Sequence, residues 1–242
     1  MPMLLSFGNS PAFGGVLRLF PKHQTKSIHG DEPRMKKLNL IVLASGGGTN
    51  LQAILDNIEA GKVDAQIRAV ISNNSKSGAL ERARKHNIPD IHLSHKQFAT
   101  PEEFDQKFLS VLKEKETDLV VLAGYMKMLS PTVIREYKNK IINIHPALLP
   151  AFGGKGMYGI HVHEAVIESG VKVTGVTVHT VDEIYDHGPI LFQKCVPISS
   201  DDTPESLQKR VLPHEHEAYS KVIQLFAEGK IEIKDNRAFI RE

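Results

Sequence analysis

The sequence predicts an α/β domain with a mostly parallel sheet and helices on both faces, and three observations carry that expectation. From Leu38 onward, apolar runs alternate with segments of helical period. Turn signals separate the two kinds of segment. No linker or internal repeat interrupts the order, so one domain is expected over residues 36–242.

Taken in order, "LNLIVLA" (Leu38 to Ala44) has the pattern of a buried strand. After "SGGGTN", the residues Leu51, Ile54, Leu55 and Ile58 recur at helical spacing until Gly61 closes the helix. "IRAVISN" is a second strand, "GALERARKH" a short helix and "IHL" a weak third strand. In "TPEEF", Thr100 suits the N-cap, Pro101 the first helical position and Glu103 the return partner of a capping box. The helix they start turns Phe104, Phe108, Val111 and Leu112 inward. "DLVVLAG" and "KIINI" are strands four and five, joined by a helix that Ser130 and Pro131 begin. The second half differs: "VTGVTVHT" and "PILFQKCVPI" read as longer strands joined by the acidic loop "VDEIYDHG". A long helix follows, which Pro213 should bend.

Composition narrows the function. Of 242 residues 41% are hydrophobic, enough for one full core, and 30 Lys and Arg against 28 Asp and Glu leave a net charge of +2. That surplus is too small to argue for a nucleic-acid partner, so an anionic ligand must be held by a local site. The single Cys195, expected to be buried on its strand, allows neither an intrachain disulfide nor a cysteine zinc set. No apolar run approaches the ~20 residues of a membrane helix. A cytoplasmic monomer or homodimer acting on small molecules is expected, with no nucleic acid and no membrane. Residues 1–35 stand apart: Met1 to Gly30 contain no Asp or Glu, and they read as a disordered or untranslated leader, with a transit peptide as the alternative.

Ligands of such sheets lie outside the carboxyl ends of the strands, where two motifs fall. "SGGGTN" sits between a strand and a helix, so its N–H groups suit a phosphate. A Walker loop would need Lys after Gly48, and the dinucleotide pattern a third Gly where Leu51 stands. "NIHPALLP" places Asn143 and His145 on one side of a strand end, an amide donor for an oxyanion beside a proton-transfer group. Asp186 in "VDEIYDHGPI" is a candidate third member, whose charge would favour a protonated His145. His161, His163, His214 and His216 lack the i, i+4 spacing of a zincin and are expected to be solvated or capping, with no metal.

Together "VLASGGGTNLQAIL", "LAGYMKMLS", "NIHPALLP", "VTVHTVDEIYDHGPI" and "HEHEAY" resemble, in order from Leu38 to about Ile233, the phosphoribosylglycinamide formyltransferase family. The resemblance implies a Rossmann-like formyltransferase fold and formyl transfer from 10-formyltetrahydrofolate to the amine of 5'-phosphoribosylglycinamide in purine biosynthesis, without a metal. It places the catalytic residues on Asn143, His145 and Asp186, and the phosphate loop on Gly48, Thr49 and Asn50. The substrate's amine end falls to Glu215. The folate contacts fall on Met126, Lys127, Met128 and Leu129 and on Val181, Asp182, Glu183, Ile184 and Tyr185. The chain departs from the family at Pro101, where an Arg near the folate tail is common, at His187, where a small residue is usual, and at Leu212, where a polar phosphate contact can lie. Lys155 is expected to be solvated. Alternatives are a formyltetrahydrofolate hydrolase, with water in place of the amine, and a non-catalytic phosphometabolite-binding protein. A methionyl-tRNA formyltransferase would be expected to carry a basic surplus and a further barrel domain.

Overall fold

The computed structural model describes residues 36–241; the expected leader, residues 1–35, lies outside them. A seven-stranded sheet runs in the order β3-β2-β1-β4-β5-β6-β7. Its strands are β1 (Leu38–Leu43), β2 (Ala65–Ser72), β3 (Asp90–His92), β4 (Leu119–Leu122), β5 (Ile141–His145), β6 (Val173–Thr180) and β7 (Ile190–Pro197). The first five are parallel, and β6 and β7 add to the edge as antiparallel strands. The helices are α1 (Thr49–Glu59), α2 (Gly78–Lys85), α3 (Pro101–Glu114), α4 (Pro131–Glu136), α5 (Ile160–Glu168) and α6 (Pro204–Ala227).

The period-two pleat sends successive residues into two separate cores. Leu40 and Val42 of β1, Val121 of β4, Ile142 and Ile144 of β5 and Val176 and Val178 of β6 meet α1, α2, α5 and α6. On the other face Ile41, Leu43, Val120, Leu122 and Ile141 meet α3 and α4 through Phe104, Phe108, Leu112 and Val133. This second core stops at Ile141. Beyond it the same face of β5, β6 and β7 carries Asn143, His145, Thr177, His179, Gln193 and Cys195, which are cross-strand neighbours by register.

Three local expectations differ from what the chain does, and one element was not expected. Thr100 caps α3 by accepting from Glu103 N, but the Glu103 carboxylate accepts from Ala99 N–H, one residue before the cap, so the box is not closed on Thr100. Helix α6 runs unbroken through Pro213, whose ring lies on the solvent side. Cys195 is exposed, not buried, because the helix layer that would cover its face ends before the edge strand. Beyond the helix a hairpin, β8 (Ile231–Lys234) and β9 (Arg237–Ile240), turns at Asp235 and Asn236, both with positive φ. Its signal was in the sequence: alternating "IEIK" and "RAFI" around a two-residue Asp-Asn turn.

One buried hydroxyl ties α6 to the sheet. Tyr219, fully buried, donates to Leu122 O at 2.7 Å and lies 3.2 Å from Ile142 O. The acceptors are the last residue of β4 and the second residue of its neighbour β5, so this contact sets how α6 lies across the two strands. The phenol's pKa is pushed well up by burial, so it remains a donor. Tyr219→Phe should lower stability by about 1 to 3 kcal/mol, read by urea denaturation, with an unchanged m-value. A loss below a few tenths of a kcal/mol would show that the hydroxyl does not hold the helix.

Candidate active site

Strand order reverses between β1 and β4, and the crevice at their carboxyl ends is held by Ser45. Its N–H donates to Gly124 O at 3.0 Å. Its hydroxyl accepts from Met126 N at 2.8 Å and donates to Asn73 Oδ1 at 2.5 Å. The ends of β1, β2 and β4 are thereby joined. Gly48 then takes the left-handed conformation, φ 75°, as N-cap of α1, and a Cβ there would stand 2.9 Å from Ala79 Cα, so only glycine fits. No side chain caps α1, which leaves its first N–H groups to a ligand.

The three loop residues have different exposures. Thr49 is exposed, whereas Asn50 is buried and its Nδ2 donates to Glu215 Oε2 at 3.0 Å. A ligand at this helix start would meet the Asn50 backbone N–H, not its committed amide nitrogen. Asn50 Oδ1 is buried with no partner among the described residues. Glu215 is buried on α6, one helical turn before Tyr219, and burial pushes its carboxyl up while the Asn50 bond pulls it down.

At the end of β5 the pleat puts Asn143 and His145 on the face left uncovered. The antiparallel register sets His179 directly opposite Asn143, with Asn143 Nδ2 3.2 Å from His179 Nε2. Asp186 returns on the loop after β6, at φ 52°, a conformation Asp tolerates. Its Oδ2 accepts from Gly154 N at 2.9 Å and lies 3.7 Å from His145 Nδ1, and its Oδ1 lies 3.7 Å from His179 Nε2. Gly153 permits this approach: a Cβ there would be 2.6 Å from Leu149 Cδ2 and 3.2 Å from Asp186 Cβ.

Carbonyl acceptors fix the ring protons. His145 Nε2 is 2.8 Å from Phe152 O, so Nε2 carries the hydrogen, and the Nδ1 lone pair of the neutral ring faces Asp186. His179 donates its Nδ1–H to Thr180 O at 2.8 Å, which turns Nε2 toward Asn143 and Asp186. The sequence led to the expectation that Asp186 would favour a protonated His145. Burial outweighs it: His145 is pulled below the ordinary histidine value by desolvation, with Asp186 and the Phe152 carbonyl opposing. Asp186 is itself raised by burial, but the nearby His179, the Gly154 N–H bond and His145 hold it below the usual carboxylate range.

The two remaining segments emerge from the α3/α4 core, in which Leu129 is buried and against whose edge Val181 packs. Leu129 is thus mostly covered by packing, while Met126 and Met128 are 51% and 43% exposed. In the acidic loop Asp182 accepts from Ile184 N and pairs with His187 at 2.7 Å, and Glu183 lies 3.8 Å from Arg135 of α4. Ile184 and Tyr185 are exposed. Lys127 precedes the exposed Met128, and Lys155 is exposed in the loop beside Asp186.

Sequence reasoning missed two histidines. His179 shows its relation to Asn143 only once β5 and β6 are paired, although "VTVHT" already put it on a strand beside the acidic loop. His163 was grouped with the solvated histidines, yet it is buried with Nδ1 unpartnered, its pKa lowered by burial and then by His145 nearby. His161 is solvated and pairs with Glu164. Among the described residues no group of three or more His, Cys, Asp or Glu could hold a metal ion, and no helix is long and apolar enough to cross a membrane.

A family model described as formyl transferase matches residues 38–223. The chain is 41% identical over 246 residues to the phosphoribosylglycinamide formyltransferase, chloroplastic, of Arabidopsis thaliana, across 96% of this chain and 83% of that one. To the phosphoribosylglycinamide formyltransferase of Escherichia coli it is 36% identical over 203 residues, across 84% and 93%. The crystal structure of glycinamide ribonucleotide transformylase 1 from Symbiobacterium toebii superposes with a TM-score of 0.80 at 39% identity, covering 86% of this chain and 95% of that one. With this extent of likeness on the strand order and strand-end polar cluster described above, the chain belongs to the formyl transferase family, among its phosphoribosylglycinamide formyltransferases.

Proposed function

We propose that this protein transfers the formyl group of 10-formyltetrahydrofolate to the amine of 5'-phosphoribosylglycinamide through Asn143, His145 and Asp186. The observation that supports it most is the neutral His145 ring, whose Nδ1 lone pair faces the buried Asp186 carboxylate across 3.7 Å with Asn143 alongside. Two acceptors facing each other without a proton form a place prepared to receive one.

The amine nitrogen attacks the formyl carbon, a C–N bond forms, and the carbonyl electron pair moves onto oxygen. Asn143 Nδ2–H is the donor for that oxyanion. The proton leaving the attacking nitrogen goes to the His145–Asp186 pair, directly or through water, and the resulting imidazolium is stabilised by Asp186 and adds positive charge beside the oxyanion. Collapse breaks the bond to the folate N10, which takes a proton in its turn. Gly48, Thr49 and Asn50 bind the ribonucleotide phosphate through backbone N–H groups at the start of α1. Glu215, beside Asn50, receives the polar amine-bearing part of the substrate. The exposed Met126 and Met128, with Lys127 and the segment Val181 to Tyr185, flank the folate. Family resemblance supports these substrate assignments. A phosphate receptor beside a buried carboxylate favours transfer to a phosphorylated amine over hydrolysis, which needs neither. We also read the enzyme as cytoplasmic, from its lone cysteine; cell fractionation finding it in an organelle would overturn that.

The function is tested with purified protein and a 10-formyl folate analogue, with and without the ribonucleotide. Formyl release only when the ribonucleotide is present is expected; release without it would identify a hydrolase. Asn143→Ala, His145→Ala and Asp186→Asn should each lower kcat ~10²-fold to 10³-fold with much smaller changes in KM. Double variants should lose far less than the product of the single losses, because the residues act on one transition state. Near-normal kcat in both His145→Ala and Asp186→Asn would remove the assignment.

The pH profile provides an independent check. The proton acceptor works only as the neutral ring, so kcat should fall on the acid side as pH drops through a His145 pKa that lies below 6.5. Asp186 raises that pKa, so Asp186→Asn should move the acid limb to still lower pH as well as lowering the plateau. A limb that shifts upward or stays fixed in Asp186→Asn would mean that His145 is not the titrating group.

A further inference from the structure

We propose that Arg82 of α2, outside the residues assigned above, is a positioning residue that aims the phosphate loop; this rests on the reading of Gly48 to Asn50 as the phosphate site. Two consecutive loop carbonyls are held by α2. Gly46 O accepts from Ala79 N at 3.1 Å, one of the N–H groups that a helix start leaves free. Gly47 O accepts from Arg82 Nε at 2.8 Å.

The peptide bonds between Gly46, Gly47 and Gly48 are trans, since the cis bond among the described residues is Leu149–Pro150. In a trans peptide the N–H points opposite to the C=O of the same plane. Holding the Gly46 and Gly47 carbonyls against α2 therefore turns the N–H groups of Gly47 and Gly48 away from it. Among the described residues nothing accepts from these two N–H groups. They continue into the free first turn of α1, giving a concave run of donors suited to a phosphate. A second, independent sign of a ligand here is Asn50 Oδ1, a buried, unpartnered acceptor in that same turn, which calls for an N–H or O–H on the ligand beside its phosphate.

Arg82 is itself held in place. Its NH1 donates to Gln52 Oε1 at 2.8 Å, and Gln52 Nε2 donates to Asp56 Oδ1 at 2.8 Å and lies 3.3 Å from His86 Nε2. The guanidinium thus bridges the loop carbonyl to the second turn of α1, fixing the loop and its helix as one unit. Close contact completes the arrangement: a Cβ on Gly78 would stand 3.1 Å from Gly47 O and 3.2 Å from Gly47 Cα. Arg82 acts on the phosphate through this peptide plane, and its charge adds to the field at the loop.

The test compares the ribonucleotide with its dephosphorylated riboside as formyl acceptor. Wild type should prefer the ribonucleotide through KM; equal KM for both would sink the phosphate-site reading itself, whatever Arg82 does. Given that preference, Arg82→Ala should raise KM for the ribonucleotide about tenfold, the scale of one lost charge-assisted hydrogen bond, while KM for the riboside and for the folate change less than twofold. Arg82→Lys should recover part of the loss. Gly78→Ala, which presses on the same peptide without altering charge, should reproduce the selective rise. The inference is overturned if Arg82→Ala keeps the full preference for phosphate, or if both acceptors lose equally, which would make Arg82 a stabilising residue only.

Discussion

The alternation of side chains along five residues, Ile141 to His145, is the constraint on which the rest of the site depends. Ile142 and Ile144 enter the core under α5 and α6, and Ile141 closes the core under α3 and α4. Asn143 and His145 have no choice but the remaining positions on the second face. Because the α3/α4 layer ends at Ile141, these positions meet a polar crevice and not a helix. A slip of one residue would bury Asn143 and His145 among aliphatic side chains and expose Ile142 and Ile144, at a cost of several kcal/mol for the unpaired polar groups alone. Core packing and the placement of the proposed catalytic pair are here the same fact.

That placement would be of little use if the polar groups were left to find their own partners. The change from parallel to antiparallel pairing at β5 brings β6 alongside with His179 opposite Asn143, and the loop leaving β6 then returns Asp186 to the same face. Thr177, opposite His145, donates to Ala147 O and accepts from Leu149 N, which folds the "ALLP" segment back over the cluster. Phe152 O follows from that fold and sets the tautomer of His145. The ring is therefore kept neutral by burial, next to a carboxylate kept ionised by its hydrogen bonds, and the two opposite tendencies make a base strong enough to use and weak enough to be free.

Much of this was legible before any coordinates. The strands and their order along the chain follow from hydrophobic runs and turns, and the spacing of Asn143 and His145 stated their shared direction. Gly48 could be read as a turn residue. What could not be read was anything that depends on strand pairing: His179 enters the site through register with a strand more than thirty residues away, and His163 through the packing of α5. The exposure of Cys195 escapes local reading for the same reason, since a strand pattern does not say which strand lies at the edge or where the helical layer stops. The Asn50 amide was also beyond local reading, because its partner Glu215 comes from the far end of the chain.

The connection between Asn50 and Glu215 has a further consequence for how the two halves of the site are kept in register. Helix α6 is fixed to the neighbouring strands β4 and β5 by the Tyr219 hydroxyl, and one turn earlier Glu215 reaches the first turn of α1 through Asn50. The helix thus spans from the start of α1, where the glycine loop ends, to the strand that carries Asn143 and His145. On the proposed assignment, a substrate that places its phosphate at one end and its amine at the other needs those ends at a fixed separation. Tight core packing supplies that rigidity, since a buried helix cannot slide without opening cavities on one side and overlapping atoms on the other. The polar bonds at Glu215 and Tyr219 select the position along the helix axis that the packing then holds.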